Sequence, residues 1–261
     1  MVTCTPMARA LTNVRTGRLR RFSITSRLIK RYDTVTAMSI RSALRVPVLV
    51  GVAAGMALCQ PTENFLGRLD QFSRTFTGAK ATIRSTVHTR GIPDDDVETG
   101  AIFVKRSGGK TQFRIDFTPP NVYTAEVREQ TAEIYHPKLN LIDVYDLSAY
   151  KDIAEKLFLL GFGMPGSELA ANYEIRNLKH DSVDGQGAAY VELIPKSPGV
   201  RRQLKSIEVW ISDASLCPVR QIFHMPDGSS RTAEFSAMEV NPKLPGNIFE
   251  LPKSAKRVKA N

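Results

Sequence analysis

The chain has 261 residues, 42% of them hydrophobic and 24% charged, an ordinary globular composition with room for one large β domain or two small ones. Its net charge of +10 suggests a nucleic-acid binder until the charge is located: residues 1–45 carry ten Lys/Arg against one acid, Asp33, and the remainder holds 26 basic and 25 acidic residues. A nearly neutral body has no basic face for a phosphate backbone, so no nucleic-acid partner is expected.

The basic leader has an export pattern. From Met38 the sequence runs MSIRSALRVPVLVGVAAGMALCQPTE, with Arg41 and Arg45 ahead of an apolar run from Val46 to Leu58. That run has signal-peptide length and is too short to favour a membrane-spanning helix. Residues 38–59 are therefore expected to be a signal peptide, residues 1–37 an upstream extension, and residues 60–261 a single exported domain. Cleavage is expected near Ala57 to Cys59; Met56-Ala57-Leu58-Cys59 matches a lipobox only loosely, with Cys59 as the residue that would carry lipid. Of the three cysteines only Cys217 lies well inside the domain, which rules out an internal disulfide framework and predicts a buried thiol.

Phe65, Leu66, Leu69, Phe72 and Phe76 recur at three- and four-residue spacing, predicting a helix over Glu63–Phe76 with Thr62 as N-cap and Gly78 as stop. A strand follows from Ala79 to Thr89, then an acidic turn at Asp94-Asp95-Asp96. No Gly and Glu follow at calcium-loop spacing, so the turn reads as solvated.

Gly100 to Tyr145 alternates apolar and polar residues: Phe113, Ile115 and Phe117 against Arg114 and Asp116, and Tyr123, Ala125 and Val127 against Thr124 and Glu126. Turn chemistry at Ser107-Gly108-Gly109-Lys110, Pro119-Pro120-Asn121, Glu129-Gln130 and Pro137-Lys138-Leu139-Asn140 divides it into five hairpin-connected strands. Ser148 to Gly163 interrupts the β pattern with a helix, and Gly161-Phe162-Gly163-Met164-Pro165-Gly166 breaks it; glycines around bulky apolar groups suit a movable flap or an ordinary crossover. Strands resume at Tyr173–Lys179, Ala188–Pro195 and Leu204–Ser212, and Cys217–Met225 and Arg231–Glu239 form a hairpin about Pro226-Asp227-Gly228-Ser229. An apolar segment at Pro245–Pro252 and a basic tail end the chain. The fold class expected is mainly β (α+β): about ten or eleven antiparallel strands in one domain, with an N-terminal helix and one inserted helix.

No catalytic pattern accompanies this framework. His88, His136, His180 and His224 sit on separate segments with no second ligand at metal-binding spacing, and there is no nucleophile elbow, phosphate loop or glycine-rich strand-to-helix turn. The expectation is a binding protein rather than an enzyme, with no metal and no cofactor.

Six short motifs in order, from about Phe65 to Val258, resemble the LolA-like outer-membrane lipoprotein carriers. They are Gly100-Ala101-Ile102-Phe103-Val104-Lys105-Arg106; Phe113-Arg114-Ile115, with Ile115 where tryptophan is usual; Ile134-Tyr135-His136-Pro137; Pro195-Lys196 to Leu204-Lys205; Asp227-Gly228; and Phe249 to Pro252. Glu129-Gln130 stands where that family has Asp-Gly. The resemblance implies an open, curved antiparallel β half-barrel with helices as a lid. It also implies a periplasmic monomer that takes lipoprotein acyl chains or lipid from an inner-membrane release transporter to an outer-membrane acceptor. The alternative is a lipid- or protein-sensing module of the same fold with no transport role. The expected acyl cavity is lined by Ile102, Val104, Phe113, Ile115, Phe117, Tyr123, Val127 and Ile134, covered by a lid of Leu157, Leu160, Phe162 and Met164. Arg106 matches the family arginine that latches the lid.

Overall fold

A computed structural model describes residues 61–148 and 160–260. The expected signal peptide and upstream extension, Cys59, the body of the inserted helix and its lid residue Leu157 lie outside the described residues.

Twelve strands form one open sheet: β1 (Gly78–His88), β2 (Asp96–Ser107), β3 (Lys110–Phe117), β4 (Tyr123–Arg128), β5 (Thr131–His136), β6 (Leu141–Asp146), β7 (Tyr173–Val183), β8 (Gln186–Pro195), β9 (Ser206–Ser212), β10 (Pro218–His224), β11 (Ser230–Val240) and β12 (Lys256–Lys259). Their order is β12-β6-β5-β4-β3-β2-β1-β11-β10-β9-β8-β7. The sheet is curved and not closed into a barrel, as the half-barrel expectation required. Two hairpin series flank β1, and β11 returns from the far half to pair with it from Ala79 to His88.

The twelfth strand was not foreseen. It is the basic tail, running parallel to β6 from Lys256↔Leu141 to Lys259↔Val144. Just before it, Leu251 and Ala255 cover Ile142 on the outer face of the sheet, and Arg128 Nη2 donates to Phe249 O at 2.6 Å. The tail is pinned by what precedes it rather than by its own apolar residue, Val258, which is exposed.

Three α-helices, α1 (Pro61–Thr75), α2 (Gly166–Asn172) and α3 (Pro198–Arg201), and a 3-10 turn at Pro137–Leu139 complete the described residues. Helix α1 starts two residues before the expected Glu63, because Pro61 suits a first turn that needs no N–H and takes proline's fixed φ. Thr62 is thus inside the helix and not its cap. Its C-terminal end is held from a distance: Asn241, at φ +53°, donates its side-chain amide to Thr75 O at 3.0 Å and accepts from the Thr77 N–H at 2.7 Å.

Strands β6 and β7, joined through residues 147–172, lie near opposite edges of the sheet. The described part of that connection, residues 160–172, returns on the face that α1 covers.

Candidate functional site

The inner face follows from register. Val104 pairs with Phe113 and Ile102 with Ile115 across β2 and β3; Phe113 pairs with Val127, and Phe117 with Tyr123, across β3 and β4; Ala125 pairs with Ile134 across β4 and β5. Directly opposed residues share a face. All eight residues expected to line a cavity therefore stand on one side, and all are buried, from 0% exposure at Val104 to 9% at Val127. Across β1 the same face continues through Ile83 and Phe235 to Val209, Val191 and Leu193.

This face is covered in the structure. Phe65, Leu69 and Phe72 of α1 lie over Val191, Leu193 and Val209, together with Leu160 and Met164. Phe162 sits edge-on to Phe113, centroids 6.4 Å apart, and to Phe235 at 5.3 Å. The space left between α1, the 160–164 segment and β8–β9 is about 10 Å³, no more than one water would need. Residues 160–164 are thus a plug seated in the trough, and three of the four expected lid residues, Leu160, Phe162 and Met164, belong to it.

Glycine is required where the plug turns. Gly161 and Gly163 adopt φ of +81° and +71°, and a methyl group on Gly163 would collide with the Phe76 ring. These glycines fit the segment tightly into place.

Two side chains of the sheet hold the plug by its backbone. Arg106 Nη1 donates to Gly163 O at 2.9 Å and, more weakly, to Ser73 O of α1 at 3.4 Å. Gln221 Nε2 donates to Leu160 O at 2.6 Å from the buried floor of β10. Helix α2 adds a third tie at the plug's far end. Asp70 of α1 accepts from the Ser167 N–H at 3.1 Å and from its hydroxyl at 2.9 Å, and these bonds hold the Asp70 carboxyl below its ordinary range.

Sequence reasoning singled out Arg106 and missed Gln221. The signal was available: a polar residue in phase with the buried face of a strand. The same test picks out Ser85, Glu98 and Arg231. Ser85 faces Glu98 across β1–β2 and Ala233 across β1–β11, and Val87 faces Arg231. Tyr123, expected only as an apolar wall, donates its hydroxyl to Glu98 Oε2 at 2.8 Å; burial first, and then the Glu98 charge, push its pKa up.

Cys217 is fully buried, and burial pushes its thiol up to about 12, so it stays a protonated core residue at neutral pH. His88, His136, His180 and His224 each face one carboxylate, Asp95, Asp143, Asp213 and Glu208 respectively.

A single open sheet thus carries a segment of its own chain on its apolar inner face. In sequence the chain resembles the LolA-like outer-membrane lipoprotein carriers. It is 26% identical over 222 residues to the outer-membrane lipoprotein carrier protein of Cupriavidus pinatubonensis, an alignment covering 81% of this chain and 98% of that protein. No family model matches the chain. Among solved structures it is similar to MucB, with a TM-score of 0.48, 13% identity, and coverage of 75% of this chain and 64% of that one. It thus spans less than two thirds of MucB. It is also similar to an uncharacterized conserved protein from Thermus thermophilus, with a TM-score of 0.47, 15% identity, and coverage of 77% and 100%.

Proposed function

We propose that the protein is a periplasmic carrier that binds the acyl chains of a lipoprotein, or a lipid, in the trough now filled by residues 160–164. In this reading residues 60–261 act as one binding domain behind a cleaved leader. The observation that carries it is the plug. An apolar segment occupies an apolar face and is tied there through backbone carbonyls by Gln221 and Arg106. Such ties are specific enough to close the trough and weak enough to exchange.

The energetics suit a hand-off. Each acyl methylene moved from water into the trough is worth about 0.8 kcal/mol. Displacing Leu160, Phe162 and Met164 re-exposes apolar surface and offsets part of that gain, which keeps binding reversible. The sequence likeness to an outer-membrane lipoprotein carrier supports lipoprotein acyl chains as the cargo; an inner-membrane transporter as donor and an outer-membrane acceptor as recipient complete the proposal. Among the described inner-face polar groups, Glu98 binds Tyr123, and Gln221 and Arg106 bind the plug.

Native mass spectrometry with a triacylated lipopeptide tests the reading. A stoichiometric adduct is expected, weakened when Phe113 and Phe117 are made polar, and its retention altered by Arg106→Leu without loss of fold. No adduct with the folded protein sinks it. Transfer of the bound lipopeptide to acceptor vesicles separates a carrier from a sensing module, which would bind and not release.

A further inference from the structure

The inner face is not uniformly apolar. At the end of the trough remote from Arg106, Ser85 and Glu98 stand opposite each other on β1 and β2, and Arg231 lies two residues beyond Ser85's partner Ala233 on β11. All three share the side of Ile83, Ile102 and Phe235. Glu98 is only 6% exposed and accepts from the Tyr123 hydroxyl at 2.8 Å and from Asn121 Nδ2 at 3.4 Å. Arg231 is half-buried, and the Glu98 and Tyr123 side chains lie near enough to act on its charge. Ser85 is 1% exposed, and its Oγ has no hydrogen-bond partner among the described residues.

A trough that held only acyl chains, or only the plug, gains nothing from these groups. Burying a carboxylate and a guanidinium costs desolvation, and a buried hydroxyl without a partner forfeits its bonds to water. The position of the cluster is informative. Glu98 and Arg106 lie on one strand eight residues apart, about 26 Å at ~3.3 Å per residue. The apolar wall of Ile102 and Val104 runs between them, so a chain lying along the trough from the Arg106 end brings its head to Glu98.

We infer that Ser85, Glu98 and Arg231, with Tyr123 and Asn121, form a subsite for the uncharged ester-and-hydroxyl head of a glycerolipid whose acyl chains fill the trough. This rests on the acyl-binding reading above. The chemistry matches in both directions. The Ser85 hydroxyl and the Arg231 guanidinium donate to ester carbonyls, and the Glu98 carboxylate and Ser85 Oγ accept from a free glycerol hydroxyl. The charges of Glu98 and Arg231 balance, which favours a neutral head, and a phosphate would meet the Glu98 carboxylate.

Dioleoylglycerol and oleate, offered separately to the full chain, share acyl chemistry and differ in the head. Ser85→Ala and Glu98→Gln should each weaken dioleoylglycerol binding by roughly tenfold, on the order expected for one lost polar contact, and leave oleate within about twofold. Ser85→Ala removes a hydroxyl with no partner, so it should melt at or above the wild-type temperature, which keeps one variant informative even if Glu98→Gln unfolds. Equal losses for both lipids, or no loss for either in the folded Ser85→Ala protein, overturn the subsite and make the cluster a structural network. A wild type that binds neither lipid overturns the carrier reading as well, whereas a wild type that binds both with unaffected variants overturns the subsite alone.

Discussion

Arg106 and Gln221 hold one short segment from two sides, and the two bonds differ in kind. Gln221 is a neutral, buried donor to Leu160 O; Arg106 is a charged, half-buried donor to Gly163 O that also reaches α1. Replacing Gln221 with Met keeps the volume and removes the donor, leaving the Leu160 carbonyl unpaired in an apolar setting. The expected cost is about 1–3 kcal/mol, felt locally. Hydrogen exchange should report it as faster exchange at Gly161 and Phe162, with strands β2 and β3 unchanged; uniform acceleration across the sheet would make Gln221 a fold residue instead of a latch. Arg106→Leu should loosen Gly163 more than Leu160. The reason Arg106 was legible in the sequence and Gln221 was not lies in their neighbourhoods. Arg106 closes a glycine-to-arginine strand motif, while Gln221 sits in a strand with no motif and is marked only by its phase.

At the level of elements, the helices are joined by polar contacts at their ends. Asp70 of α1 caps the start of α2 through Ser167. Hydrogen bonds from the Ser167 backbone, then its hydroxyl, lower the Asp70 pKa from its ordinary value. A carboxyl lowered by folding adds stability above its unfolded pKa, and that contribution is lost as pH falls through the folded value. The contact should therefore persist at neutral pH and loosen only in acid. The Ser167 amide resonance should titrate with a midpoint below the ordinary aspartate range, a shift that Asp70→Asn abolishes; a midpoint at or above that range would mean the cap is not formed in solution. The strands of the β2–β6 meander were legible because each alternates and is closed by turn residues. Strand β12 was not: Lys256-Arg257-Val258-Lys259 has no buried face and pairs only because Leu251 and Ala255 anchor the preceding segment on Ile142. The start of α1 was missed by two residues, because a proline before a polar pair reads as a linker until the helix behind it is seen.

At the scale of the whole molecule, the order of the strands makes the plug and a ligand competitors. The chain leaves β6 near one edge and enters β7 at the other, and residues 160–164 of the connection lie on the inner face with Leu160, Phe162 and Met164 buried. Over β8 and β9 residues 160–164 and α1 leave a space of only about 10 Å³, and Phe162 extends the contact to Phe113 and Phe235. A bound acyl chain must replace apolar surface with apolar surface. This has a thermodynamic signature. Burying apolar area lowers the heat capacity by about 45 cal/mol/K per 100 Å², and re-exposing the plug raises it by the same rule. Calorimetric titration with a lipopeptide over a range of temperatures should give a heat-capacity change clearly less negative than the ligand's own apolar area requires, the shortfall matching the surface of Leu160, Phe162 and Met164. Replacing these three residues with Ser should remove the shortfall, make the change more negative and strengthen binding, because less apolar surface is re-exposed. A full-sized change in the wild type would mean that the ligand binds without moving the plug, on a surface other than the inner face of the sheet.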